Sequence, residues 1–369
     1  MKHELAFMLI GKLLDWTDAE FATEFRELQL MIDHKYDAYQ GFQPATRFHV
    51  ALLNWLSQFS SIDDKKTAYQ FIKKRLLFVS QREMNHLVSL MMPLVDDLMH
   101  ELIADELKIP RYMTWMDPAA KVRLDLLRRR TLYVGLSDGA RIDVFRRYNE
   151  GRVSNEQVVA YSEISREKWD DLQKELRKSL EGKVKKGEGD MFELVCLVDD
   201  FSGSGSSLIR KDKNGDWKGK IPKFFSANAD KRGTLLAPNC RVHVHHHLAS
   251  SKAAEQIEAD LKDFGVEHTE FRCSTSYSSV LTSEIVINDS YEDQAFVALA
   301  KSCYDSEIED EHTGKDIWYG YKQCGLPLVL EHNTPNNSVA LLWATSPDES
   351  HKPQMKPLFA RRKRHSSNG

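Results

Sequence analysis

A short apolar run that ends in two adjacent acids constrains the fold of this chain more than any other stretch. Residues 195–198 are apolar, Asp199 and Asp200 follow directly, and a loop of serine and glycine comes next. An apolar run of this length between turn residues is typical of a buried strand in a parallel sheet. Ligands of such sheets bind beyond the carboxyl ends of the strands. The sequence therefore predicts an α/β fold with a mostly parallel sheet and a ligand site just after this strand.

The loop after the two acids has the composition of a phosphate-binding loop. Its two glycines permit positive φ and close backbone approach, so consecutive N–H groups can turn toward an anion. Serine hydroxyls add donors, and Ser206 or Ser207 is suited to cap a following helix whose N-terminus would attract phosphate. An ordinary strand with a flexible turn is the alternative. The predicted phosphate-binding residues are Ser202, Gly203, Ser204, Gly205, Ser206 and Ser207.

The two acids are suited to a part of the ligand other than its phosphate. Adjacent carboxylates repel a bare phosphate, so Asp199 and Asp200 suit hydroxyl groups or a hydrated divalent cation. Ribose hydroxyls on the acids and a 5′-phosphate in the loop together describe a phosphorylated ribose. We therefore predict that Asp199 and Asp200 hold ribose hydroxyls and Mg²⁺, the cation being bound through water or through the ribose.

Length and composition set wider limits. A chain of 369 residues is long enough for two domains, and a net charge of −4 neither requires nor excludes a nucleic-acid partner. The five dispersed cysteines are typical of a reduced compartment. No signal peptide is recognisable, and no apolar run approaches the ~20 residues that a membrane span needs. We expect a soluble, cytoplasmic protein without a membrane partner.

Three regions follow from the patterns along the chain. Residues 1–125 have helical apolar spacing, and we interpret aromatic residues there, such as Tyr36 and Trp55, as core rather than as base-stacking groups. Residues 126–350 alternate strand and helix patterns, including a strand predicted at 281–287, which indicates an α/β domain. Residues 351–369 form a basic tail that is expected to be flexible and able to contact nucleic-acid phosphates.

A second anion site is predicted upstream of the acids. Residues 131–136 have a strand pattern, a small-residue turn follows, and Arg141 falls in the first turn of the next predicted helix. The candidate residues are therefore Ser137, Asp138, Gly139 and Arg141. A solvent-exposed turn with a surface arginine is the alternative.

Other polar clusters leave alternatives open. His243, His245 and His247 would share one face of a strand, where zinc binding or a polar structural role is conceivable, although no further ligand pair is recognisable. Asn333 and Asn336 suit a nucleobase edge or the capping of a turn. Residues 211–234 have the composition of an insertion with a hairpin at Asn214-Gly215, and Ser154 with Gln157 forms a capping pattern.

Several of these segments together resemble one family. They are residues 136–141, 154–157, 197–205 and 332–338, and the third resembles the phosphoribosyl-diphosphate (PRPP) motif, with Gly203 where the usual motif has threonine. The set is similar to the phosphoribosyltransferase-like domain of bacterial conflict systems, including effector modules found with some retrons. Because residues 47–48 and 55–56 also fit the opening of that domain, the resemblance covers most of the chain.

The resemblance implies a phosphoribosyltransferase-type parallel sheet preceded by an N-terminal helical region. It further implies that the turn from Ser137 to Arg141 binds diphosphate, and that the protein acts in antiviral defence, beside a reverse transcriptase with its RNA–DNA product.

Three functional hypotheses result. In the first, the protein is a glycosyl-transfer enzyme in which Asp199 and Asp200 stabilise positive charge on the sugar, while Arg141 and Mg²⁺ stabilise the departing diphosphate. In the second, it is a non-catalytic nucleotide sensor, because Gly203 replaces threonine and no general base is obvious. In the third, it is a nucleic-acid-associated regulatory protein that uses the helical region and the basic tail.

Overall fold

The computed structural model describes residues 3–43, 46–160, 164–184, 189–309, 314–348 and 354–361. The chain divides into two compact units. The central unit comprises residues 84–281, and the split unit comprises residues 1–83 together with 282–369. The predicted boundaries near residues 125 and 350 stay a prediction. In the basic tail, residues 351–353 and 362–369 lie outside the described residues.

The secondary-structure elements of the described residues are as follows. The helices are α1 (His3–Leu13), α2 (Asp18–His34), α3 (Phe48–Leu56), α4 (Ile62–Lys74), α5 (Gln81–Ser89), α6 (Met91–Leu107), α7 (Pro118–Arg129), α8 (Ile142–Tyr148), α9 (Arg166–Leu180), α10 (Lys220–Ala227), α11 (Ser251–Glu267), α12 (Gln294–Ser302) and α13 (Ala340–Trp343). The strands are β1 (Leu77–Val79), β2 (Thr131–Gly135), β3 (Val158–Val159), β4 (Phe192–Ser202), β5 (Arg210–Lys211), β6 (Trp217–Lys218), β7 (Leu236–Ser250), β8 (Cys273–Leu281) and β9 (Leu328–Leu330).

The central unit is built on a five-stranded sheet in the order β3-β2-β4-β7-β8, in which every neighbouring pair is parallel. Helices cover both faces, which explains why β4 is apolar without interruption from Leu194 to Val198. Val195 and Leu197 pack with α9, α10 and α11, and Leu194, Cys196 and Val198 pack with α6, α7 and α8. The predicted α/β fold with a parallel sheet and preceding N-terminal helices is confirmed.

The segment between β4 and β7 differs from one expectation. No helix follows the serine–glycine loop directly, so Ser206 and Ser207 do not cap one. The chain first forms the antiparallel hairpin β5–β6, with Gly215 at φ 84°, as the Asn214-Gly215 pair predicted. Helix α10 begins only at Lys220, because the polar hairpin residues cannot supply a buried helical face.

The split unit has a mainly helical core around the parallel pair β1–β9. Tyr36, Phe48, Trp55 and Phe359 are buried in this core, which confirms the interpretation of Tyr36 and Trp55 as core residues. The Trp55 indole nitrogen donates to the carbonyl oxygen of Leu341 at 2.8 Å. Segments from both ends of the chain therefore build one hydrophobic core. No helix in the described ranges is long and apolar enough to span a membrane.

Candidate functional site

Four adjacent strands of the sheet place four polar side chains in a row. Asp199 lies within β4, close to its carboxyl end, and is in register with His246 on β7, which is in register with Tyr277 on β8. On the other side of Asp199, the hydroxyl of Ser137, just after β2, donates to Asp199 Oδ1. The sheet thus brings together two regions that the sequence predicted as separate parts of one site.

Asp199 is buried and fully engaged. Its side chain is 6% exposed, and its Oδ2 accepts a hydrogen bond from Lys220 Nζ at 2.5 Å. A buried carboxylate needs such compensation, because its desolvation is costly. Sequence reasoning missed Lys220, which follows the hairpin directly and lies 21 residues from its partner. The only sequence pattern that could have indicated Lys220 is a lysine next to Gly219, and that pattern is common in solvent-exposed loops.

Asp200 is half-buried and lies against the turn that follows β2. A Cβ atom on Gly139 would lie 2.7 Å from Cγ of Asp200, so the backbone of this turn directly contacts the carboxylate. The Arg141 guanidinium is attracted electrostatically to Asp200. Burial lowers the pKa of Arg141, and Asp200 opposes that change. Arg141 does not fall within the helix as predicted: it is the residue before α8, at φ 48°.

The serine–glycine loop is anchored to the start of α11. Ser250, the N-cap residue of α11, donates its hydroxyl to the carbonyl oxygen of Gly203 at 2.7 Å and accepts from the Ala253 N–H at 3.0 Å. Gly205 has φ 77°, and a Cβ there would lie 3.0 Å from Ile257 Cγ1. A glycine is therefore required at 205 by both conformation and close packing.

The hydroxyl groups of the serine–glycine loop differ in their burial. Ser204 Oγ and Ser206 Oγ are 3.0 Å apart, and both residues are half-buried, while Ser207 is exposed. Ser202 is 3% exposed, and among the described residues its hydroxyl has no hydrogen-bond partner. A buried hydroxyl without a partner is uncommon in folded proteins, where ordered water or a ligand satisfies such a group.

The predicted binding of Mg²⁺ at Asp199 and Asp200, through water or through the ribose, stays a prediction. The described part of the chain contains no group of three or more His, Cys, Asp or Glu side chains that could hold one. Asp199 already accepts hydrogen bonds from Ser137 and Lys220. Two carboxylates that also accept hydrogen bonds fit ligand hydroxyl groups, and together with water they also fit a hydrated divalent cation.

His243 and His245 take part in a directional hydrogen-bond chain with serines of β8. Ser278 Oγ donates to the carbonyl oxygen of Leu87 at 2.7 Å, so it accepts from His245 Nε2 at 3.0 Å. Ser276 then donates to His245 Nδ1 and accepts from His243 Nε2, and Ser274 donates to His243 Nδ1, each at 2.8 Å. Burial lowers the pKa of both histidines and so favours the neutral form, and for neutral rings this chain of donors places the proton on Nε2. Because serine hydroxyls are hydrogen-bonded to these ring nitrogens, the structure favours the polar structural role of the two histidines over zinc binding.

His247 extends the same face of β7 toward the predicted diphosphate turn. Its Nε2 donates to the carbonyl oxygen of Ala140 at 2.9 Å. The shared face predicted for His243, His245 and His247 is confirmed, and its last member positions the turn that carries Ser137, Asp138 and Gly139.

We expect the stability of the protein to fall as the pH drops from 7 to 5. Burial lowers the pKa of His243 to about 4, while in the unfolded chain it titrates near 6.5. Between these values the unfolded state binds more protons, so His243 alone should lower the free energy of unfolding by about 2 kcal/mol at pH 5 relative to pH 7. Urea denaturation at the two pH values should show a correspondingly smaller difference for His243→Asn. The exposed His86→Asn is the control, and an unchanged difference in His243→Asn would contradict the prediction.

Asn333 and Asn336 belong to the split unit. The N–H of Asn333 donates to the carbonyl oxygen of Leu330 at 3.0 Å, and the carbonyl oxygen of Asn336 accepts from the Tyr321 N–H at 2.7 Å. These backbone contacts build the turns after β9. Their predicted role in binding a nucleobase stays a prediction.

A parallel sheet with an acid pair and a serine–glycine loop at the end of a central strand defines a phosphoribosyltransferase-type protein. The model of the family PRTase-CE matches residues 52–361, and the chain belongs to this phosphoribosyltransferase-like family. No curated protein and no solved structure matches the chain.

Proposed function

We propose that the central unit binds a 5-phosphorylated ribose, PRPP in the first instance, and transfers its ribosyl group. The observation that carries this proposal is the arrangement at the end of β4. Two carboxylates near the end of β4 are followed by Ser202, the last residue of that strand, and then by the serine–glycine loop; the buried Ser202 hydroxyl has no partner among the described residues. Carboxylates suit the sugar hydroxyls, and hydroxyl and N–H donors suit the phosphate.

Each group would act on a different part of the ligand. The loop from Ser202 to Ser207 binds the 5′-phosphate, and Asp200 accepts hydrogen bonds from the ribose hydroxyls. When the bond between the anomeric carbon and the diphosphate oxygen breaks, the diphosphate leaves with the electron pair, and the acceptor supplies the pair for the new bond. The carboxylates stabilise the positive charge that develops on the sugar, and Arg141 stabilises the departing diphosphate. Magnesium, held by Asp199 and Asp200 through water or through the ribose, would supply further charge neutralisation.

A non-catalytic ligand sensor is the second candidate. It is favoured by the ion pair of Lys220 with Asp199, which already neutralises one of the two carboxylates in the ligand-free protein. A sensor binds the same ligand without breaking it. Mass spectrometry of PRPP incubated with the protein distinguishes the two, because only the enzyme releases diphosphate or transfers the sugar.

The cellular role is a separate proposal. The resemblance of several sequence segments to effector modules of bacterial conflict systems supports a cytoplasmic role in antiviral defence. A reverse transcriptase with its RNA–DNA product is the proposed partner.

Isothermal titration with PRPP, with and without magnesium, tests the proposed ligand. Asp200→Asn removes a charged acceptor, and charge-assisted hydrogen bonds contribute about 1.5–3 kcal/mol, so affinity should fall by about 10- to 100-fold. The matched control is Asp216→Asn, which changes an exposed aspartate on the β5–β6 hairpin of the same unit. Equal affinity of wild type and Asp200→Asn would reject the site.

A further inference from the structure

Lys220 joins the acid pair to the phosphate loop. Its ammonium reaches Asp199, while its side chain remains 30% exposed against 6% for the carboxylate. An ammonium has three donors, so one group can hold Asp199 and a second acceptor at the same time. The exposed side of Lys220 is thus able to meet a ligand.

The backbone of Lys220 is fixed to the loop as well. Its N–H donates to the carbonyl oxygen of Ser207 at 3.1 Å, and the next N–H, from Ile221, donates to Leu208 at 3.0 Å. Gly219, at φ 116°, packs so closely that a Cβ would lie 2.5 Å from the Leu208 carbonyl oxygen. The first turn of α10 therefore cannot move independently of the loop.

The positive charge of Lys220 has a specific electrostatic effect at this site. Two adjacent carboxylates would repel the phosphate that the neighbouring loop is suited to bind, and the repulsion would be strong in a partly buried site. Lys220 places a positive charge beside Asp199, on a residue whose backbone N–H is bonded to the loop at Ser207. A neutral sugar would gain little from that charge, whereas a sugar phosphate would gain a direct ionic contact.

We propose that Lys220 is a specificity-determining residue that selects phosphorylated over unphosphorylated sugars. In the ligand-free protein its ammonium neutralises Asp199, and in the complex it also binds a phosphate oxygen of the ligand. This inference rests on the proposed function, since it assigns a role within the same site.

The test compares ribose 5-phosphate with ribose in wild type, Lys220→Met and Lys220→Arg. We expect Lys220→Met to weaken ribose 5-phosphate binding at least about tenfold, to leave ribose binding within about twofold, and to reduce the salt dependence of binding. Lys220→Arg, which keeps the charge, should retain most of the affinity. The control Lys223→Met changes an exposed lysine one turn further along α10.

Three outcomes overturn the inference: unchanged ribose 5-phosphate affinity in Lys220→Met, an equal loss for both sugars, or a loss in Lys223→Met of the same size. Because Lys220→Met leaves Asp199 buried without its ion pair, the substitution is also made in Asp199→Asn, where no charge needs compensation. A further loss of ribose 5-phosphate affinity in the double variant supports the inference, and no further loss overturns it.

Failure of the proposed function gives a different pattern. In that case wild type binds neither PRPP nor ribose 5-phosphate. Inorganic diphosphate then tests Lys220 alone: weaker binding in Lys220→Met supports the lysine as an anion contact, and equal or absent binding in both proteins overturns it.

Discussion

Gly139→Ala is expected to fold like wild type and to lose most of its affinity for ribose 5-phosphate. The added Cβ would lie 2.7 Å from Cγ of Asp200 and 3.2 Å from Oδ1, so the carboxylate must move. Only the end of one side chain has to shift, and the cost in stability is therefore small. A site group displaced by about 1 Å loses its directed hydrogen bonds, and we expect a decrease in affinity of about 10- to 100-fold.

Two comparisons make this prediction specific. Gly265→Ala adds the same methyl group within α11, where its nearest contact would be 3.8 Å away, and should leave affinity unchanged. In an Asp200→Ala background the carboxylate that Gly139→Ala displaces is absent, so the two losses should not add. Calorimetry gives the affinities, and urea denaturation gives the stability. Wild-type affinity in Gly139→Ala would show that Asp200 does not contact the ligand.

Gln157→Leu is expected to cause a large loss of stability, because it replaces a buried polar residue of the central unit. Gln157 is 3% exposed, and its amide nitrogen donates to the carbonyl oxygens of Arg128 at 2.7 Å and Thr131 at 2.8 Å. Its amide oxygen accepts from the Ser154 N–H at 3.2 Å. Leucine has a similar volume but neither donates nor accepts, so the Arg128 and Thr131 carbonyl groups and the Ser154 N–H would lose their hydrogen bonds to the amide. At a net value of about 0.5–1.5 kcal/mol for each lost bond, the free energy of unfolding should fall by about 3 kcal/mol.

The half-buried Gln173 is the matched control for this change. Its amide nitrogen makes an exposed hydrogen bond to the Thr234 carbonyl oxygen at 3.1 Å, which water can replace. Gln173→Leu should therefore change stability by less than about 1 kcal/mol. If both substitutions have the same effect in urea denaturation, then the amide of Gln157 does not hold the start of β2.

The Gln157 network also links stability to the site. It fixes the backbone on both sides of Arg129 and Arg130, which lead into β2, and β2 ends at the turn that carries Ser137 and Gly139. A loss at Gln157 is thus expected to weaken ligand binding indirectly, in proportion to the unfolded fraction. Gly139→Ala acts on the site alone, so the two variants separate global stability from local geometry.

Local sequence patterns were sufficient to predict the elements whose residues interact mainly with neighbours in the sequence. The apolar run at 195–198 indicated a buried strand, and the structure has β4 there. The capping pattern of Ser154 with Gln157 is present, although it closes a short 3-10 turn instead of starting a helix. The strand predicted at 281–287 was wrong: β8 is Cys273–Leu281. The serines that alternate along this segment are typical of a loop. Only the structure shows that they pair with the buried His243 and His245.

The sequence by itself determined the fold class, the position of the acid pair and the serine–glycine loop, because these depend on residue types within about ten positions of one another. Only the tertiary structure decided that Lys220 pairs with Asp199, that β8 aligns its serines with His243 and His245, and that both ends of the chain share one core. These contacts join residues far apart in sequence. Their partners are chosen by the register of parallel strands and by the need to compensate buried polar groups, and no local pattern contains that information.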